Sequence, residues 1–147
     1  MRTLFLLFIA VCLSSSAVAQ VPLDDYLEDT DACRAVSKAF AEAFQMKEIS
    51  RAFSIIQPYW PLPENELDEL REQTIKNTNL LQYRIGQAIG FEKMNEKIVS
   101  DFILQETYVV KYEVSIIRLK YIYYKNDQGW ILNALKWDDS IGSLLED

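Results

Sequence analysis

Histidine is absent from all 147 residues, which leaves phenols and carboxylates as the side chains able to do chemistry. Ser/His/Asp and Cys/His catalysis, imidazole metal sites and histidine acid/base work are excluded together. The sequence has no glycine-rich phosphate loop and no paired-cysteine metal motif, and the acids around Asp127 lack the alternating spacing of a calcium loop. The doublet Asp138-Asp139 is placed to cap a closing helix rather than to pair on a metal. No metal and no cofactor are therefore expected. What remains is a set of aromatics at strand spacing, Tyr108, Tyr112, Tyr121 and Tyr123, followed by Asn133 and Trp137, together with the adjacent pair Tyr59-Trp60. A phenol beside a carboxylate is the equipment of a lyase or isomerase. The same aromatics without a carboxylate line a pocket for an apolar or amphipathic ligand, or pack as core. Alternation places no Asp or Glu on the inward face of residues 102–113 or 117–125, so a general base is expected to be missing. A non-catalytic binding domain is the leading expectation. The enzyme and a structural homodimer without ligand are the alternatives.

The elements that would position these side chains are read from periodicity. Ala32, Val36, Ala39, Phe40, Ala43 and Phe44 recur at three and four residues and predict a helix from Thr30 to about Met46, capped by Asp29, Thr30 or Asp31. Ile49, Ala52, Phe53 and Ile56 predict a second helix, limited by Pro58. The segment Tyr59-Trp60-Pro61-Leu62-Pro63 is a rigid aromatic connector, read either as a ligand-stacking surface or as a plug tying the helical hairpin to the sheet. A third helix, Glu64 to Arg84, carries acids in its first turns and an apolar line of Leu67, Leu70, Thr74, Leu81 and Ile85, and ends between Gly86 and Gly90.

After Gly90 the period changes to two and β-branched and aromatic residues become frequent. Four antiparallel strands are predicted: Phe91 to Val99, Phe102 to Glu113, Ile117 to Lys125 and Trp130 to Trp137, the last two joined by the turn Asn126-Asp127-Gln128-Gly129. A short helix or tail closes the chain. One face of the sheet, with Tyr108, Val110, Tyr112, Ile117, Leu119, Tyr121, Tyr123, Ile131, Asn133, Leu135 and Trp137, should meet the helices. The other face mixes charge with Ile122, Tyr124, Trp130 and Leu132, which suits partial cover by the tail or by a second copy of the chain. Glu113 is expected opposite Arg118 across the turn. The lead from Gln20 to Glu28 has no periodic pattern and is expected to fray.

Met1 to Ala19 has the form of a cleavable secretory signal: Arg2, an apolar stretch from Leu4 to Leu13, and small residues at Ala17-Val18-Ala19. The stretch is too short for a stable membrane anchor, and Val11 before Cys12 does not suit lipid attachment. Residues 20–147 then form one domain. It is acidic, the whole chain carrying a formal charge of −7, which argues against a nucleic-acid partner and against docking on an anionic membrane. Of the two cysteines only Cys33 remains after cleavage, so stability rests on packing, with Cys33 as a buried apolar residue of the first helix.

Three helices followed by a curved antiparallel sheet resemble the cone-shaped nuclear transport factor two-like, or cystatin-like, group. The resemblance is carried by residues 52–63, by Arg84-Ile85-Gly86 through Ile89-Gly90, and by Tyr123-Tyr124-Lys125 through Gly129-Trp130-Ile131-Leu132-Asn133 to Asp138-Asp139, as in a set of small exported bacterial proteins. It implies an α+β fold with a mouth between sheet and helices. With no glycosylation sequon present, it also implies a bacterial periplasmic or extracellular address.

Overall fold

A computed structural model of the chain describes Leu23 and residues 25–145. The expected signal peptide, 1–19, lies outside the described residues, and no helix among those described is long and apolar enough to cross a membrane. The architecture is α+β, three helices followed by four antiparallel strands.

Helix α1 spans Thr30–Gln45. Its start is fixed by Asp29, whose carboxylate accepts the Ala32 N–H at 2.8 Å, satisfying one of the amides that no helical carbonyl can reach. Helix α2, Ile49–Ile56, follows at once and runs into a single 3₁₀ turn, Gln57–Tyr59, because Pro58 cannot continue an α-helix. Helix α3 spans Glu64–Ile85, with Glu64 and Glu66 at its positive end. It stops at Gly86, whose φ of 82° favours glycine. A Cβ there would also lie 2.2 Å from Glu113 Oε2.

The sheet is a meander, β1 (Ala88–Val99), β2 (Ile103–Tyr112), β3 (Ile116–Lys125) and β4 (Trp130–Asp138), in the order β1-β2-β3-β4. Asn126 closes the last turn by accepting the N–H groups of Gln128 and Gly129 at 2.9 and 3.1 Å. Glu113 does not face Arg118. Its carboxylate turns back to accept the Gln87 N–H at 2.9 Å, while Arg118 stands opposite Val109.

The core lies between α1, α2 and the inward face of the sheet. Phe40, Phe44, Ile56, Leu104, Val110, Ile117, Leu119, Tyr121, Tyr123 and Leu132 are buried there, and each large apolar side chain removed from water contributes about 1.5–3 kcal/mol. Phe40 is central: its ring meets Phe44, Phe53 and, edge-on, Tyr121 at 6.1, 5.8 and 5.7 Å between centroids.

Besides a register shift between Ala88 and Gly90 at the start of β1, two bulges break the alternation within the expected strands. One shifts the register of β3 and β4 between Ile122 and Tyr123, so that Ile122 faces Ala134 but Tyr123 faces Leu132. Asn133 is the extra residue. The first half of β4 is thereby inverted: Trp130 and Leu132 are buried, Asn133 is exposed, and Ile131 pairs with Tyr124 on the outer face. The expectation that Ile131 and Asn133 point inward is corrected on this ground. The second bulge lies in β1 between Lys93 and Asn95 and bears on the site below.

The lead does not fray at its inner end. Leu27 is buried and forms an antiparallel bridge with Trp130, exchanging hydrogen bonds of 2.9 and 2.8 Å. Gly129 permits the approach, since a Cβ there would come within 2.8 Å of the Leu27 carbonyl oxygen. On the outer face Arg118 donates to Asp138 at 2.8 Å and to the Ser143 carbonyl at 3.2 Å, which holds the closing segment against that side of the sheet.

Candidate functional site

The aromatics singled out from sequence fall into three separate environments. Tyr108, Tyr121 and Tyr123 lie in the sealed interior. Tyr112 stands at an open cleft between the α1–α2 junction and α3. Trp60 and Trp137 line a second, smaller cleft. Tyr59 packs half-buried against the core, and Asn133 is outside altogether.

The interior group holds a carboxylate where none is expected. Glu106 is two positions before Tyr108, on the same inward face, and is fully buried. The expectation of no inward carboxylate on β2 is therefore wrong. Its parity was legible, but nothing local in the sequence shows what would make a buried charge tolerable. The answer comes from β1. The bulge at Met94 brings both Lys93 and Glu96 onto the inward face, opposite Tyr108 and Glu106 respectively. Lys93 Nζ lies 2.7 Å from Glu106 Oε1 and also pairs with Glu96. Glu96 is gripped in turn by Arg34 of α1, whose Nη2 and Nε reach its two oxygens at 2.6 and 2.9 Å.

This chain of charges runs from solvent inward: Arg34 and Lys93 keep about a third of their side-chain surface exposed, Glu96 23%, and Glu106 none. The bidentate Arg34 fork, with Lys93, holds the Glu96 carboxyl down to about 2. Burial works against the Lys93 ammonium, but Glu106 and Glu96 together hold it above its ordinary value. Burial and then the Glu106 charge push the nearby Cys33 thiol up to about 12, which keeps it protonated and unreactive.

The hydrogen bonds of the group are incomplete. Tyr123 shares one with Ser37 of α1 at 2.8 Å. Tyr121 stands directly across from Glu106, with its ring edge-on to Tyr108 at 6.0 Å. Its hydroxyl is buried and has no partner among the described residues. Glu106 Oε2 likewise has none, and Lys93 meets Oε1 as an ion pair without hydrogen-bond alignment. Burial, followed by charges that include Glu106, holds the Tyr121 and Tyr123 hydroxyls well above the usual phenol range. Both phenols are thereby held protonated.

The open cleft has a different character. Its volume is about 630 Å³, with Phe44, Ile49, Ile75 and Tyr112 as apolar wall and Lys47, Arg51 and Gln82 among its polar groups. Burial pushes the Tyr112 hydroxyl up to about 12. The second cleft, about 420 Å³, lies where Trp137 Nε1 donates to Thr74 Oγ1 of α3 at 3.3 Å. Glu106 lines neither of them. Among the described residues no group of acids and Cys33 is arranged to hold a metal ion.

No family model matches the chain, and no curated protein matches it. Among solved structures, a protein of Thiobacillus denitrificans described as a candidate calcium/calmodulin-dependent protein kinase type II association domain aligns at a TM-score of 0.43 and 12% identity, over 79% of this chain and 98% of that one.

Proposed function

We propose that this is an exported, non-catalytic binding domain of the cone-shaped, cystatin-like kind, which takes a small amphipathic ligand in the cleft between the α1–α2 junction and α3. The observation that carries the reading is the composition of that cleft: an apolar wall of Phe44, Ile49, Ile75 and Tyr112 beside Lys47 and Arg51, open to solvent and large enough for a small organic molecule. A lyase or isomerase reading draws on Glu106 beside Tyr121. It requires a substrate to reach a carboxylate that is wholly enclosed and already ion-paired.

The test uses 1-anilinonaphthalene-8-sulfonate, an amphipathic anion matched to the apolar wall and to Lys47, Arg51 being paired with Glu48 at the same cleft. Titration followed by fluorescence should show a single site, and Ile75→Lys should weaken it by about tenfold or more, the equivalent of about 1.4 kcal/mol. An unchanged affinity in a folded Ile75→Lys protein overturns the assignment.

A further inference from the structure

We propose that two neighbouring hairpin tips at one end of the sheet form a site for a small quaternary ammonium ion, with Phe102 and Tyr124 as aromatic walls and Asp101 and Asp127 as counter-charges. The β1–β2 tip carries Asp101 and Phe102, while the β3–β4 hairpin carries Tyr124 in its strand and Asp127 in its turn. The tips are held side by side, since the Lys125 N–H donates to the Phe102 carbonyl at 2.8 Å and Ile103 pairs with Tyr124 one residue further in. Between them lies an open cleft of about 340 Å³, lined by Asp101, Phe102, Tyr124, Lys125, Asn126 and Asp127. The Asn126 side chain is committed to its own turn, where it accepts the Gln128 and Gly129 N–H groups. The rings and the charges therefore set the character of the cleft.

The Phe102 and Tyr124 rings meet edge-on, with 6.4 Å between centroids and 81° between planes. Rings at right angles make a corner, in which a cation can meet more than one π-system. Neither ring is withdrawn into the core: Phe102 is 44% exposed and Tyr124 42%. Two large aromatics left at the surface, with an exposed acid in each tip, suit a ligand that is apolar in shape and positive in charge. A primary ammonium is strongly hydrated and has three N–H donors to satisfy, so it gains little from a ring at an open site. A quaternary ammonium has no N–H and presents alkyl groups to the rings, while Asp101 and Asp127 balance its charge. Lys125 offsets one of the two acids, and its exposed stem lets the ammonium stay in water. Phe102 precedes β2 and Tyr112 ends it, so about 30 Å of strand separates this cleft from the one beside Tyr112. The two sites are independent.

The experiment titrates choline chloride into the purified protein at fixed ionic strength, with its uncharged carbon analogue 3,3-dimethyl-1-butanol and the primary amine ethanolamine as controls. Amide shifts in ¹H–¹⁵N spectra locate the binding, and an upfield shift of the choline methyl resonance reports contact with a ring face. Choline should bind saturably, in the millimolar range expected of exposed cation–π contacts, and should move the amides of residues 101–102 and 124–127. Ethanolamine should bind at least about threefold more weakly, and dimethylbutanol not detectably. Phe102→Leu and Tyr124→Leu, both at exposed positions, should each weaken choline about threefold. Asp101→Asn combined with Asp127→Asn should weaken it about threefold to tenfold without touching either ring. Absence of saturable binding, shifts confined to other parts of the surface, or equal binding of either control overturns the proposal. An affinity unchanged by either ring variant or by the paired Asn variant overturns it as well.

Discussion

Helices α1 and α3 belong to the same layer and meet the sheet in opposite ways. Over its sixteen residues α1 buries Cys33, Ser37, Phe40, Ala41, Ala43 and Phe44, and it adds Arg34 and Ser37 as polar ties to β1 and β3. Over twenty-two residues α3 buries only Leu67, Thr74 and Ile85, while Leu70, Leu80 and Tyr83 remain exposed. The sealed site lies under α1, and the two clefts described above, beside Tyr112 and Trp137, lie along α3. Tight packing produces an interior in which one charge must be balanced atom by atom. Loose packing leaves room for a guest.

Breaking the tight side should have the largest effect. Phe40→Ala removes the ring shared by Phe44, Phe53 and Tyr121, and should cost about 3–5 kcal/mol in urea unfolding. Leu80→Ala on the exposed face of α3 should stay within about 0.5 kcal/mol. Comparable losses from the two would dissolve the contrast between the helices.

Acid should sharpen it. Glu96 has a depressed folded value of about 2, against an ordinary 4.5. Its contribution to stability is therefore complete above about pH 4.5 and is lost as pH falls toward 2. The groups facing it are Arg34 of α1, Lys93 of β1 and Glu106 of β2. Unfolding midpoints measured from pH 6 to 2 should decline in that window for the wild type and decline less for Glu96→Gln. Parallel curves would show that the ion-pair chain does not hold α1 to β1.

The smallest effect is expected at Asn133. Asn133→Ala, at the exposed extra residue of the β4 bulge, should change stability by no more than about 0.5 kcal/mol. Had Asn133 been a pocket residue, as strict alternation implies, the same change would strip a buried polar group and cost more.

Those two strand irregularities also mark the limit of what the sequence makes legible. Helix stripes, the Asp29 cap, the Gly86 stop and the Asn126 turn depend on neighbours three or four residues apart, and all are readable from residue types. A bulge depends on the strand opposite. Neither Met94 nor Asn133 announces one, yet each reverses the faces of the residues on one side of it. Alternation puts Tyr108, Tyr112, Tyr121, Tyr123 and Trp137 on the inward face, and it holds there because no bulge intervenes between them and the regular part of the ladder. Glu106 is readable by the same count, but Glu96 comes to face it only through the Met94 bulge, with its ion-pair partner Lys93 one step away opposite Tyr108. Leu70 fits the helical spacing of α3 and still lies exposed, since spacing cannot say how closely a helix approaches the sheet.

The bridge between Leu27 and Trp130 joins segments separated by nearly the whole described chain. Its closure entropy must be met before its two hydrogen bonds return anything. Trp130 is also not in position until the Asn126 turn has formed and β4 has aligned on β3. The lead is therefore expected to dock late, on an already formed β3–β4 hairpin.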